Sequence, residues 1–159
     1  VMWYGNTQLS GDSLTIYLVD NQIDRVLIRN NSLIVSVNDI NPKRYDQISG
    51  KNVNLIFNED GLYKTEVFEN VLSIYNVYDE GKENGLIKAS SKDAVIDFFE
   101  KKVDIVRLYG EPKSDYYPEN LIIEKEMEFL IPKFILYKEK PSKEKILQNI
   151  KPSSLNSEN

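Results

Sequence analysis

Along most of this chain apolar and polar residues alternate with a period of two, the spacing of a strand with one buried face. The stretch from Ile48 to Tyr78 carries the pattern most clearly. Val53, Leu55 and Phe57 alternate with Asn54, Ile56 and Asn58, a tight turn follows at Glu59-Asp60-Gly61, and a second strand runs to a break at Glu69-Asn70 and then a third strand. Gly61 supplies the positive φ that a tight hairpin needs. The arrangement is written three times. Leu14, Ile16, Leu18, Ile23 and Ile28 occupy the slots of Val53, Leu55, Phe57, Leu62 and Val67, and Ser10-Gly11 matches Ser49-Gly50 at a spacing of 39 residues. A third copy opens at Ser90-Ser91, with Ala94, Ile96, Phe98, Val103 and Leu108 in the same slots at an offset of 41. A strand-built period of about 40 residues, with Gly, Asn and Asp at its turns, predicts stacked antiparallel β-repeats.

Taken in order, the chain divides into repeats of about 9–47, 48–86 and 87–122. Residues 1–9 read as the tail of an earlier strand, with Trp3 and Tyr4 as packing residues, so the chain is expected to be a piece of a longer protein. In the first unit Leu14–Leu18 and Ile23–Ile28 flank a turn at Asp20-Asn21-Gln22; Asn30-Asn31-Ser32 breaks the chain before a third strand, Leu33–Val37. Asn30-Asn31-Ser32 also fits a glycosylation sequon, but a turn accounts for it. Asp39–Asp46 and Asp79–Gly85 read as polar loops, and the third turn, Glu100-Lys101-Lys102, puts charge where glycine is expected. Beyond Gly110 prolines replace glycines; Leu121–Ile123 and Phe129–Tyr137 are expected to be strands closing the end of the sheet. The expected domain is therefore 1–141, followed over 142–159 by a short helix capped by Ser142 and an unstructured tail.

Composition narrows the chemistry. The 159 residues include no cysteine and no histidine, which removes disulfides, thiolate chemistry and the commonest general base and transition-metal ligand. No catalytic constellation, cofactor motif or metal set stands out. The acids around Asp79 lack the alternating ligands of a calcium loop, Ser49-Gly50-Lys51-Asn52 lacks the glycines of a phosphate loop, and Asp97 with Glu100 has no feature that separates it from ordinary surface acids. A net charge of −5 argues against a nucleic-acid partner, and no apolar run reaches the length of a membrane span. The expectation is a non-enzymatic protein.

Its most distinctive feature is then the apolar face. Leu14, Ile16, Leu18, Ile23, Val26 and Ile28 in the first unit, Val53, Leu55, Phe57, Leu62 and Val67 in the second, and Ala94, Ile96, Phe98, Val103, Val106 and Leu108 in the third stack into one stripe. That stripe is either the filled core between two sheet faces or a trough that accepts alkyl chains, and strand period does not separate the two. Arg25, Lys51, Lys64 and Lys88 are candidates to meet lipid phosphates at a rim. Ten tyrosines also allow a sugar-binding reading, although they form no regular ladder.

The repeat pattern S-G-x2-L-x-I-x-L-x-D-N-x-I-x4-I, with its second copy, resembles the OstA/LptA-like family of lipopolysaccharide transport. Val71–Asp79 followed by Gly85–Ser91, then Tyr109-Gly110-Glu111-Pro112, Tyr116-Tyr117-Pro118-Glu119 and Lys140-Pro141, is similar to the Bacteroidota type of that family. The likeness spans roughly residues 9–145; it departs at Lys133, where a glycine is expected, and at Leu136, where a tryptophan is. It implies an all-β, LptA/OstA-like β-jellyroll, or taco, folded over a greasy interior. It further implies a periplasmic carrier or bridge that passes lipopolysaccharide or a related glycolipid toward the outer membrane of a Gram-negative cell. The stripe residues would form the groove, and copies or other β-jellyroll components would join edge to edge. A scaffold that docks protein partners through its edges is the alternative.

Overall fold

The computed structural model describes residues 1–137; the expected helix and tail of 142–159 lie outside them. The fold is all-β. Among the described residues nine strands form one antiparallel sheet: β1 (Met2–Tyr4), β2 (Thr7–Ser10), β3 (Ser13–Val19), β4 (Gln22–Val37), β5 (Tyr45–Asn58), β6 (Gly61–Asp79), β7 (Lys82–Phe99), β8 (Lys102–Tyr109) and β9 (Lys113–Tyr117). Their order is β1-β2-β4-β5-β6-β7-β8, with β3 also on β4 and β9 also on β7.

The central strands β4 to β7 hold 16, 14, 19 and 18 residues, far beyond the usual five or six. The pairs β4–β5, β5–β6 and β6–β7 persist along the strands, but pairing stops and resumes near the middle, at Arg29/Ser32, Ser49/Asn52 and Phe68/Val71, where β4 also passes from β3 to β2 and β7 from β9 to β8. There Asn30 and Asn31 (φ 54° and 50°) and Glu69 and Asn70 (φ 61° and 57°) turn left-handed, and Gly110 and Glu111 (φ 75° and 55°) do so between β8 and β9. The breaks expected at Asn30-Asn31 and Glu69-Asn70 are therefore corners inside continuous strands, not loops between separate ones. Paired left-handed residues bulge the ladder and bend it. The sheet folds along this line into two panels. One holds β3, 22–29, 52–58, 61–68, 93–99 and β8; the other holds β1, β2, 32–37, 45–49, 71–79, 82–91 and β9.

Sterics at the corner account for the repeated Ser-Gly. A Cβ on Gly11 would lie 2.4 Å from Ile28 Cγ2, and one on Gly50 would lie 2.5 Å from Val67 Cγ1. The amides freed at the bend are satisfied from matching slots of the next strand: Asn30 N–H donates to Asn52 Oδ1 (3.3 Å) and Glu69 N–H to Asp93 Oδ1 (3.1 Å). Buried residues from both panels meet inside, among them Leu9, Ile34, Ile48 and Val71 of one and Val26, Ile28, Val53, Phe57 and Val67 of the other.

At the hairpin tips, Asp20-Asn21, Glu80-Gly81 and Glu100-Lys101 each take two positive φ values, as a type I′ turn requires. Asp79–Gly85 is accordingly a two-residue hairpin, not the loop expected, because Gly81 lets the ladder begin again at Lys82.

The segment after β9 corrects a second expectation. Leu121–Ile123 and Phe129–Tyr137 form no strands; instead 118–137 crosses the outside of the second panel as an irregular strap with 3₁₀ turns at Glu119–Leu121 and Glu126–Glu128. Positive φ at Glu124 and Lys133, and amides that bond to carbonyls a few residues back, keep it out of the ladder. Ile122 and Ile131 bury themselves over Leu33, Val35, Ile74 and Leu86. Two buried glutamines fasten the strap's backbone. Gln8 donates to Ile135 O (2.7 Å) and accepts from Tyr137 N (2.7 Å), while Gln47 donates to Phe129 O (3.0 Å) and accepts from Ile131 N (3.0 Å). Arg44 forms a two-pronged ion pair with Glu119, which also accepts from Gly85 N (3.1 Å).

Two substitutions test the backbone reading. Lys101→Gly relieves a left-handed lysine and is expected to add about 1 kcal/mol, or roughly 2–4 °C in Tm. Gly50→Ala, which collides with Val67, is expected to cost about 1–3 kcal/mol. Thermal unfolding followed by circular dichroism measures both.

Candidate functional site

The space between the panels is filled at one end of the stack and hollow at the other. Cross-strand rows explain why. On the inner face of the second panel one row runs Met2, Leu9, Ile34, Ile48, Ser73, Ala89, Ser114 across seven neighbouring strands. Side-chain volume drops sharply after Ile48. The first panel faces it with the row Ile16, Val26, Leu55, Thr65, Ile96, Val106. Where Leu9 and Ile34 meet Val26 and Ile28, the interior is closed and these side chains are buried. Tyr4 and Phe57 close the gap between hairpin tips, ring edge to face at 5.3 Å. Where Ser73, Ala89 and Ser114 stand, a cavity of about 360 Å³ opens, and its wall continues as far as Ile34, Leu9 and Tyr4.

The structure divides the residues expected to form the groove. Leu55, Leu62, Ile96, Phe98, Val103 and Leu108 line the cavity. Ile28, Val53, Phe57 and Val67 are buried in the filled core, and Leu14 and Ile23 pack against it. Ile16 and Leu18 are exposed on β3 and do not reach the hollow, because β3 ends the panel and no further strand covers them. The second-panel wall, including Ile48, Ser73, Tyr75, Ile87, Ala89 and Ser114, was not singled out by the sequence; its signal is the alternation on the far side of each corner.

None of the basic residues considered for a rim lines the cavity. Lys51 pairs with Glu69 at the corner (3.0 Å), Arg25 lies over the Tyr17 ring, Lys64 lies near the ring of Tyr63, and Lys88 is exposed. Of the acids weighed for catalysis, Asp97 is engaged by Arg107 and Glu100 sits in a hairpin turn. Among the described residues the lining contains no lysine or arginine and one carboxylate, Asp46.

Asp46 Oδ1 accepts from Asn76 N (2.8 Å) and Asn76 Nδ2 (2.9 Å), and Oδ2 takes no bond from any described residue. Burial raises its pKa from 3.8, outweighing the two Asn76 bonds that lower it. Burial, with the Asp46 charge second, also raises Tyr75 and pushes Tyr78 up to about 12.

No protein-family model, curated protein or solved structure matches this chain. Its chemistry is therefore read from the site alone.

The raised pKa has a stability consequence with a definite sign. Folding favours protonated Asp46, so its contribution is complete below pH 3.8 and is lost as pH rises through the higher folded value. Asp46→Asn keeps an acceptor for Asn76 and removes the titration. The wild type is expected to lose stability relative to this variant as pH rises from 3 toward 7, in paired urea melts across that range; parallel curves would refute the assignment.

Proposed function

We propose that this domain is a non-enzymatic lipid carrier, holding acyl chains of lipopolysaccharide or a related glycolipid in the cell envelope of a Gram-negative bacterium. The observation that carries this reading is the cavity: about 360 Å³, within the size range of ligand sites, walled by aliphatic side chains from two panels. Each methylene moved into it from water gains roughly 0.8 kcal/mol, so an alkyl chain binds there without a polar recognition motif. The repeat resemblance supports the same reading. Among the described residues no helix is long and apolar enough to cross a membrane.

Edge docking belongs to the proposal as a second activity. Among the described residues β3 and β8 each pair on one side only, and Ile16, Leu18, Val103 and Val106 are exposed along them. Unpaired apolar edges favour strand addition by a second copy or by another β-jellyroll component. A purely scaffolding protein has no use for the hollow, which is what favours the carrier.

The test is to fill the hollow. Ala89→Leu adds bulk beside Ser73 and Ser114 and is expected to leave Tm unchanged or raised, while uptake of the fluorescent apolar probe N-phenyl-1-naphthylamine falls about tenfold or more. Lipid A is expected to displace the probe from wild type. Wild type that takes up neither probe nor lipid A would leave the scaffold reading in its place.

A further inference from the structure

We infer that the trough is blind: it opens toward β7, β8 and β9, is closed at the β3 end, and takes one linear acyl chain at a time, tail first. This rests on the carrier reading and adds its direction and stoichiometry. The row Ile16 to Val106 has two exposed ends, Ile16 at 47 % and Val106 at 50 %. Only Val106 lines the cavity. At the Ile16 end the wall itself is formed by the fully buried Leu9, by Val26 (also fully buried) beside it on the way to β3, and by Tyr4, which packs against Phe57.

Capacity and charge define the occupant. At roughly 30 Å³ for a group the size of a water or a methylene, 360 Å³ holds about a dozen carbons, which is one chain and not the several of a whole lipid A. Among the described residues the one charged group on the wall, Asp46, is acidic and no lysine or arginine lies on the lining, so a phosphate or carboxylate head is turned away from the interior. The tail goes in and the head stays at the mouth. Such a carrier loads and unloads through the same end, unlike a conduit through which lipid slides from copy to copy.

The experiment uses n-alkyl maltosides, whose neutral heads remove any charge effect, at concentrations below micelle formation, with affinity and stoichiometry read by native mass spectrometry. Affinity is expected to rise roughly fourfold per added methylene and to level off near twelve carbons, with one ligand per chain. Val106→Trp is expected to weaken every length about tenfold, while Ile16→Trp at the opposite end leaves all of them unchanged. Equal weakening by both variants, or affinity that climbs without levelling, overturns the blind end and leaves the carrier reading standing. Absence of binding at every length in wild type fails the carrier reading itself. Both positions are exposed, so neither variant disturbs the core, and the chain-length cutoff is read on the unaltered protein.

Discussion

Everything in this domain depends on a bend that a β-sheet resists. Strands of 14 to 19 residues run flat only if nothing interrupts their ladders. Here every long strand is interrupted at the same level, and the interruption alternates in kind. Asn30-Asn31, Glu69-Asn70 and Gly110-Glu111 bend by left-handed backbone, whereas Gly11 and Gly50 bend by lacking a side chain where Ile28 and Val67 crowd them. The first device needs residues that tolerate positive φ, which explains the asparagines; glutamate at the same sites is less comfortable and is held by its context. The amides exposed by the bend would be orphaned without Asn52 and Asp93, which occupy equivalent slots in successive repeats. Bend and cap recur together in successive repeats, with glycine beside them at Gly11 and Gly50 and serine, Ser91, at the matching place on β7.

Folding the sheet covers one face of each panel and leaves the other outside. The two panels meet that problem differently. The first panel turns polar and charged side chains outward, among them Arg25, Asn54 and Asp97 between the inward apolar positions. The second carries Leu33, Val35, Leu72, Ile74 and Leu86 on its outer face and covers them with the strap. This is why Ser32 to Val35 are buried without alternation. The strap makes no ladder, so its backbone polar groups need other partners, and Gln8 and Gln47 serve as substitutes, each giving one donor and one acceptor to the passing chain.

The repeats, the hairpin tips and the apolar slots of the first panel were legible in the sequence because each is a local pattern: alternation, a turn dipeptide, a fixed spacing. The corners were legible as interruptions but not as bends. Asn30-Asn31 looks like a loop until Arg29 and Ser32 are seen to face the same neighbouring strand. Leu121–Ile123 and Phe129–Tyr137 suggest strands because they are short runs of aliphatic and aromatic residues, but what holds the strap is a pair of glutamines up to 129 residues away. The hollow was half legible. Its first-panel wall coincides with the stripe, but its existence turns on Ser73, Ala89 and Ser114 falling in one cross-strand row, which requires the register of β6, β7 and β9.

That row bears on whether the hollow is a packing fault or a site. At about 24 cal/mol per Å³, an enclosed and empty space of 360 Å³ would cost on the order of 9 kcal/mol, as much as a domain's whole stability. Larger side chains at Ser73 or Ala89 would remove such a cost, as Ile48 and Ile34 do one and two strands from Ser73 in the same row. A gap of this size is tolerable only if it is not enclosed. The exposure of Val106 and Ile87, both on its wall, is the structural expression of that condition. An apolar recess left open to solvent gains stability whenever a chain of matching length enters it, and the same opening that spares the fold the cost of a void gives that chain its way in.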